Sequence, residues 1–502
     1  MKLLIVSLIL ITTVVGSIVF GRIRQARKRN LADWAVGGRS LGALLFWFVN
    51  AGEIYTTFAV FGIAGYAWAL GAPAYLAFCS VSLSYAIGYW LMPKIWKAGR
   101  LRGLITQADF FANRYDSPWL GVTTGVIGIG ALIVYVQIQL VSLGLIVSLT
   151  FNGALSTTAS TIVAGGLMVS FVLFAGLRSA AFAAAVKDIL MIVLVVVLAW
   201  TVADVVGASS LLDIFVKAEA AHPGIGKFPG LDLTSPTTSI WLMTSALNIA
   251  LGNWVFPHLF QVSYSANSAT SIRRNAIWQP IYSLAFGFII LLGFAALVAG
   301  TQPPDGNMNA VLLQFVTDKY PQWVIGLLAG TGFLLALAPG SVLLLTAGSI
   351  FSRNIVAPFK PQLGEKQSLR LSRLSVVVFA AIAVAITLTQ KGSLVSILLS
   401  AYSAIGMLAP GVFLGFLWQR TSAVGVVCGI VVGFMVLLLP ASSAYLSATL
   451  PSWEPGLIAM LVNFLVVIGV SLLTRAPSAK HVELGLLTPA AGTFTAPARG
   501  GH

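Results

Sequence analysis

Of the 14 Asp and Glu residues in this chain, only Glu53 and Asp188 fall where the hydropathy pattern places the middle of a membrane. Lys187, beside Asp188, and His258 complete the ionisable groups at that depth. An unpaired charge in hydrocarbon is costly, so such residues are rare there and mark the path of an ion or polar solute. The chemistry these residue types offer is exchange of a cation, not the making of bonds. Burial favours the neutral form of a carboxyl and a nearby positive charge favours the ionised form, which makes Glu53 a candidate for cation uptake and release. An imidazole titrates near physiological pH, so His258 is a candidate relay. Lys187 and Asp188, as neighbours on a helix, are expected to point about 100° apart and not to pair face to face. Lys187 could then neutralise a carboxylate solute or Glu53. Its alternative is to snorkel toward the cytoplasmic surface marked by Arg178.

Uncharged groups accompany them. Tyr55, Thr56 and Thr57 follow Glu53 directly and offer hydroxyls to a carboxylate; the plainer use is local bonding to helix carbonyls. Asn253 and Gln139 are buried amides that could contact a solute, although Gln139 serves equally well as glue between helices. The sequence has no phosphate-cradling Gly-Lys-Ser/Thr loop, which leaves ATP-driven transport unsupported. Four His and two Cys form no metal-ligand spacing. No nucleophile motif is seen at a membrane interface. The expectation is therefore a protein that is not an enzyme and carries no cofactor or metal centre.

What positions these groups is a set of membrane helices. The chain has 502 residues, 58% hydrophobic and 9% charged, with mean hydropathy +0.94. Repeated apolar runs of about 20 residues match a hydrocarbon core of about 30 Å. The runs are continuously apolar, without the alternation of a barrel strand. The net charge of +15 suggests nucleic acid until the basic residues are placed, when 23 of the 29 Lys and Arg fall on one side. That asymmetry sets orientation and calls for no nucleic-acid partner. The run from Leu3 to Phe20 precedes a heavier basic cluster and is expected to insert N-terminus out and to remain.

About 13 spans are expected: 3–21, 41–68, 72–95, 120–149, 157–176, 180–203, 238–260, 277–300, 322–350, 373–389, 393–418, 422–440 and 455–474. The C-terminus is then cytoplasmic. The stretch Gly103–Trp119 is too polar to span and predicts a short surface helix around Gln107–Asn113. The tail 475–502 reads as disordered. Two spans carry internal breaks, at Asn50-Ala51-Gly52-Glu53 and at Gly252-Asn253 before Pro257-His258. They open two blocks of five spans, 41–203 and 238–418, of similar length and opposite starting side. Discontinuous helices in matching places of inverted halves point to a binding site at the membrane midplane. Half-helix N-termini there offer N–H groups to an anion, and unwound carbonyls can hold a cation.

These residues resemble the sodium:solute symporter family. The resemblance rests on Asp33-Trp34-Ala35-Val36-Gly37-Gly38-Arg39-Ser40-Leu41-Gly42, on Thr106-Gln107-Ala108-Asp109-Phe110-Phe111 followed by Arg114-Tyr115, and on Gly176-Leu177-Arg178 leading to Asp188. It implies an all-α membrane protein of the LeuT-type five-plus-five inverted repeat. One extra helix, with its basic loop, occupies 1–40 and precedes the repeats 41–203 and 238–418. A loop, 204–237, separates the repeats, and two extra helices follow in 419–474. Asp188 resembles the family's acid on the inward cation route. The segments Gly52-Glu53-Ile54-Tyr55-Thr56-Thr57, Ala185-Val186-Lys187-Asp188 and Phe256-Pro257-His258 are similar to the monocarboxylate permease branch. In the sodium-coupled members, adjacent hydroxyl residues in the eighth core helix hold the ion. Ala338 and Pro339 stand there in this chain and leave Ser341 as the nearby hydroxyl, which favours a proton over sodium.

The resulting expectation is symport of a short monocarboxylate such as lactate, pyruvate or acetate, coupled to a proton or sodium gradient in the cell (inner) membrane. Tyr55, Thr56, Thr57, Gln139, Lys187 and Asn253 would bind the solute, and Glu53, Asp188, His258 and Ser341 would couple the cation. The partners are the solute, the ion and the bilayer, with no obligatory protein partner. The alternatives are a sodium-coupled symporter for proline, pantothenate or another solute, and a transporter-like nutrient sensor. The sensor is disfavoured because only about 28 residues follow the last span, too few for a signalling domain of typical size.

Overall fold

The computed structural model describes residues 1–23, 31–174, 176–232, 237–389, 392–475 and 477. The tail expected to be disordered, apart from Arg475 and Pro477, lies outside the described residues, as does the basic stretch 24–30. Within the described residues the chain is helical, with one isolated backbone bridge and no strand. Eight helices there are long and apolar enough to cross a membrane, or up to ten if each of two bent pairs is one span. The bent pairs are Leu394–Gly406 with Ala409–Leu417, at 45°, and Ala423–Leu438 with Pro440–Thr449, at 72°.

The helix Gln322–Ile350 is the hub. It packs against Pro118–Thr150, Leu177–Val205 and Lys2–Ile23, and its apolar stretch is buried throughout. Lipid tails are as apolar as the side chains, so small residues and close backbone approach hold membrane helices together. Gly326 and Gly330 show this, because side chains there would run into Ile5 and Ile9 of the first helix. The hub continues through Pro339 without a break.

Two helices do break. The first runs Ala43–Gly52, turns at 53–57, passes a π-helical turn at Phe58–Gly62 and resumes as Ile63–Leu70. The second runs Ser239–Asn253, turns at 254–256 and resumes as Pro257–Ser265. Pro257 opens its half-helix, where its missing N–H costs nothing. It also biases the residue before it toward extended backbone, and Phe256 is found at ψ 133°. The ends of Ala43–Gly52 and Pro257–Ser265 that lie away from the breaks are pinned together by backbone bonds. Leu41 N–H donates to the Ser265 carbonyl at 3.1 Å and Asn267 N–H to the Leu41 carbonyl at 2.9 Å.

The short helix expected near Gln107–Asn113 spans Gln107–Arg114 and begins with a capping box between Thr106 and Asp109. It is not a surface helix. Gln107, Ala108, Asp109, Phe110, Phe111 and Arg114 are all buried.

Candidate functional site

At the first break the helical pattern tightens, because Ile54 donates to Ala51 three residues back and shares that carbonyl with Tyr55, whose bond is the last regular one before the turn. The carbonyls of Gly52 and Tyr55 are left over, at a depth without water to satisfy them. Lys187 reaches in from the helix Leu177–Val205 and donates to both, at 3.3 Å and 2.6 Å. Gly52 makes room, since a β-carbon there would sit 3.1 Å from that of Ala184 and 3.6 Å from the Lys187 ammonium. Lys187 is fully buried and does not snorkel.

The expectation that Lys187 and Asp188 do not pair is overturned. Their side chains meet at 2.7 Å, Nζ to Oδ1, with neither exposed. The 100° offset describes the Cβ directions, and the four-carbon Lys stem bends back around the helix to close it. With both carboxyls ionised, the pair and Glu53 would carry two negative charges and one positive, a surplus of one negative charge.

At the second break, Asn253 ends the first half-helix and His258 stands second in the next one. His258 therefore lies at the break itself, and the second half continues to Ser265. Its Nε2 is 3.7 Å from Oε2 of Glu53, which joins the two breaks. Tyr135 and Phe256 wall the imidazole, with ring centroids 5.6 Å and 5.3 Å away. Tyr135 precedes Gln139 by one helical turn, so both present the same face to the breaks.

The remaining candidates divide by their hydrogen bonds. The Tyr55 hydroxyl donates to Ser283 Oγ at 2.9 Å, and its ring lies against Tyr282 and Phe286. Thr57 donates to Gln139 Oε1 at 2.9 Å, and Tyr402 donates to Asn253 Oδ1 at 2.7 Å. Thr56 is buried beside these. Ser341 is spent within its own helix, its hydroxyl donating to the Ala338 carbonyl at 2.6 Å. Ala338 itself packs with Phe171, Ala183 and Val14 in an apolar cluster.

Several buried polar atoms around the two breaks have no hydrogen-bond partner. They include Glu53 Oε2, Thr56 Oγ1, both ring nitrogens of His258, Gln139 Nε2, Asn253 Nδ2 and Asn50 Oδ1. Buried polar atoms are satisfied in the great majority of cases, so a concentration of exceptions at one place indicates a site for something polar. The donors among them suit an anion and the acceptors a cation. Every candidate residue is at most 4% exposed, so the site is closed in this conformation. Sequence reading missed Tyr402, Tyr135 and Asn50. The spacing of Tyr135 to Gln139 was a usable signal; nothing local singles out Tyr402.

Comparisons with known proteins bear on the family and the fold. The model of the sodium:solute symporter family matches residues 34–433. The uncharacterized symporter YhjB of Bacillus subtilis (strain 168) is 32% identical over 465 residues, covering 90% of this chain and 94% of its own. A monocarboxylate transport permease protein of Rhizobium johnstonii is 27% identical over 385 residues, covering 76% of each chain. Among solved structures, a Na+-coupled sialic acid symporter in its substrate-bound outward-open state superposes with TM-score 0.75 at 15% identity, over 94% of this chain and 99% of that one.

Proposed function

The chain belongs to the sodium:solute symporter family, and on that premise we propose that it takes up a short monocarboxylate together with an inward-moving proton or, second, sodium ion. The observation that carries this reading is the set of unpartnered buried polar atoms shared between two helix breaks, with the Glu53 carboxylate among them. The layout that accompanies it is a five-plus-five inverted repeat, 41–203 and 238–418, in a thirteen-helix chain with its N-terminus outside an inner membrane.

Glu53 takes the cation from outside. The solute carboxylate sits between the breaks, near Thr56, Gln139 and the Asn253 amide, with Tyr55, Thr57 and Lys187 shaping the wall. Asp188 lies on the inward side of the cation's route. Electrostatics couples the two ligands. The Glu53, Lys187 and Asp188 cluster has a surplus negative charge, and a bound carboxylate adds a second, so solute binds well only once a cation is present. Cation and solute then favour the same closed state, which is the condition for symport. Rocking of one helix bundle against the other opens that state to either face.

Support for a monocarboxylate comes from the likeness to the permease of Rhizobium johnstonii. The likeness in fold to a Na+-coupled sialic acid symporter favours a second reading, sodium-driven uptake of another solute. The experiment that separates them is uptake of labelled lactate, acetate and proline into proteoliposomes under an imposed pH or sodium gradient. Accumulation of lactate or acetate under the pH gradient supports the first reading; accumulation of proline under sodium alone supports the second and refutes the first.

A further inference from the structure

The run Thr106-Gln107-Ala108-Asp109-Phe110-Phe111 with Arg114-Tyr115 has so far no part in the site. In the fold it becomes the short buried helix Gln107–Arg114, and its bonds reach well outside its own loop. Asp109 receives Arg353 Nε at 2.8 Å and Asn354 Nδ2 at 2.8 Å, both from the π-helical turn Phe351–Val356 that continues the C-terminal end of the hub helix. The Thr106 hydroxyl donates to Asn354 Oδ1 at 2.8 Å. Arg114 donates to the carbonyls of Gly415 and Trp418 at 2.8 Å and 3.1 Å, and Tyr115 to that of Gly411. These bonds fix one end of the helix to the turn that follows the hub helix and the other to Ala409–Leu417, the second half of a bent pair.

Gln107, the first residue of this helix, points the other way. Gln107 is 1% exposed, and its Nε2 donates to the carbonyl of Val255, in the middle of the second break. The turn at 254–256 leaves that carbonyl outside either half-helix, in surroundings where an unsatisfied backbone group is costly. Lys187 meets the same demand at the first break. Each break is thus held open by one long donor inserted sideways from another element.

We infer that Gln107 is a positioning residue for the second break, and that the helix Gln107–Arg114 transmits the state of the cytoplasmic end of the hub helix to Asn253 and His258. Gln107 does not touch the solute. It sets the geometry of the turn from which those two residues project. The inference rests on the transport reading only for its activity readout.

Hydrogen exchange on the full-length protein in nanodiscs tests it without reference to any solute. Three substitutions act on the hold itself. Gln107→Leu removes the amide at similar size, Gln107→Glu keeps the shape and, at a pH where it is ionised, loses the donor, and Gln107→Lys supplies a donor of similar reach. A fourth, Arg353→Gln, weakens the far anchor and leaves the amide in place. The Leu and Glu variants are expected to exchange on the order of tenfold faster over residues 253–259, as loss of a buried hydrogen bond implies. The Lys variant should return toward the native rate, and Arg353→Gln should accelerate 107–114 more than 253–259. In proteoliposomes with lactate as probe, the Leu and Glu variants should raise KM more than they lower the maximal rate.

Native exchange over 253–259 in both the Leu and Glu variants overturns the inference. So does acceleration spread evenly through the hub helix, the mark of general destabilisation. Failure of the native protein to accumulate lactate refutes the proposed substrate and leaves the exchange result to decide this inference.

Discussion

Glu53 Oε2 and His258 Nε2 face each other across 3.7 Å, one from each broken helix and both buried. The separation is too long for a direct hydrogen bond, which needs about 2.7–3.2 Å. Neither atom has a hydrogen-bond partner, and in the mechanism proposed above the coupling cation binds beside them. Glu53→Gln keeps the shape and removes the charge. Gradient-driven accumulation of lactate should fall by about tenfold or more, as loss of a group needed for coupling implies. Lactate counterflow, which needs no net cation movement, should persist. A variant that still concentrates lactate as the native protein does would remove Glu53 from the mechanism.

Lys187 has three polar contacts, to two break carbonyls and to Asp188. Lys187→Met strands a buried carboxylate and bares both carbonyls, and breaking a buried pair costs about 3–5 kcal/mol. The variant should show a much lower melting temperature and no accumulation. Adding Asp188→Asn removes the stranded charge. The double variant should regain part of the stability, with a coupling energy of about 1–3 kcal/mol. Transport should stay lost, because the first break has no donor. Additive losses of stability in the cycle would show that the pair does not interact.

Much of the architecture was legible beforehand. Apolar runs of membrane length located the helices, and Gly52-Glu53 and Gly252-Asn253 located the breaks, because Gly and polar residues stand out against a uniform apolar background. Side-chain reach was not legible. Cβ directions separated Lys187 from Asp188, yet the flexible stem closed the gap. Polarity placed a helix around Gln107–Asn113 on the surface, but the polar groups of the helix Gln107–Arg114 are consumed by Val255, Arg353 and Gly415, contacts from distant parts of the chain. Tyr402 meets Asn253 across 149 positions, and no local pattern carries such a pairing.

Ser341 bears on which ion is used. Its hydroxyl is engaged by the Ala338 carbonyl, and Ala338 lies among Phe171, Ala183 and Val14. Such surroundings supply few of the six or so oxygens a hard cation takes from its site. Ser341→Ala should therefore leave accumulation within about twofold, the range of a lost bond to the residue's own helix. Half-saturation by sodium, if sodium stimulates transport at all, should not change. A tenfold rise in that constant would place sodium beside Ser341 and displace the proton as the favoured ion.

Glu454 supplies the pH dependence. It precedes the last helix and is 7% exposed, accepting from Ser403 at 3.2 Å and Ser245 at 3.3 Å. Burial holds its carboxyl above the usual 4.5, opposed by the bonds from Ser403, Gly456 and Ser245. A raised value means that the folded state binds the proton more tightly than the unfolded chain does. Its stabilising contribution is then fully present below the ordinary value and is lost as pH rises through the folded one. Glu454→Gln mimics the protonated acid at every pH. The melting temperature of the variant relative to the native protein should thus improve between pH 5 and pH 8, by roughly 2 °C or more. A difference that is constant or shrinks over this range would mean that ionised Glu454 is better accommodated than its burial implies.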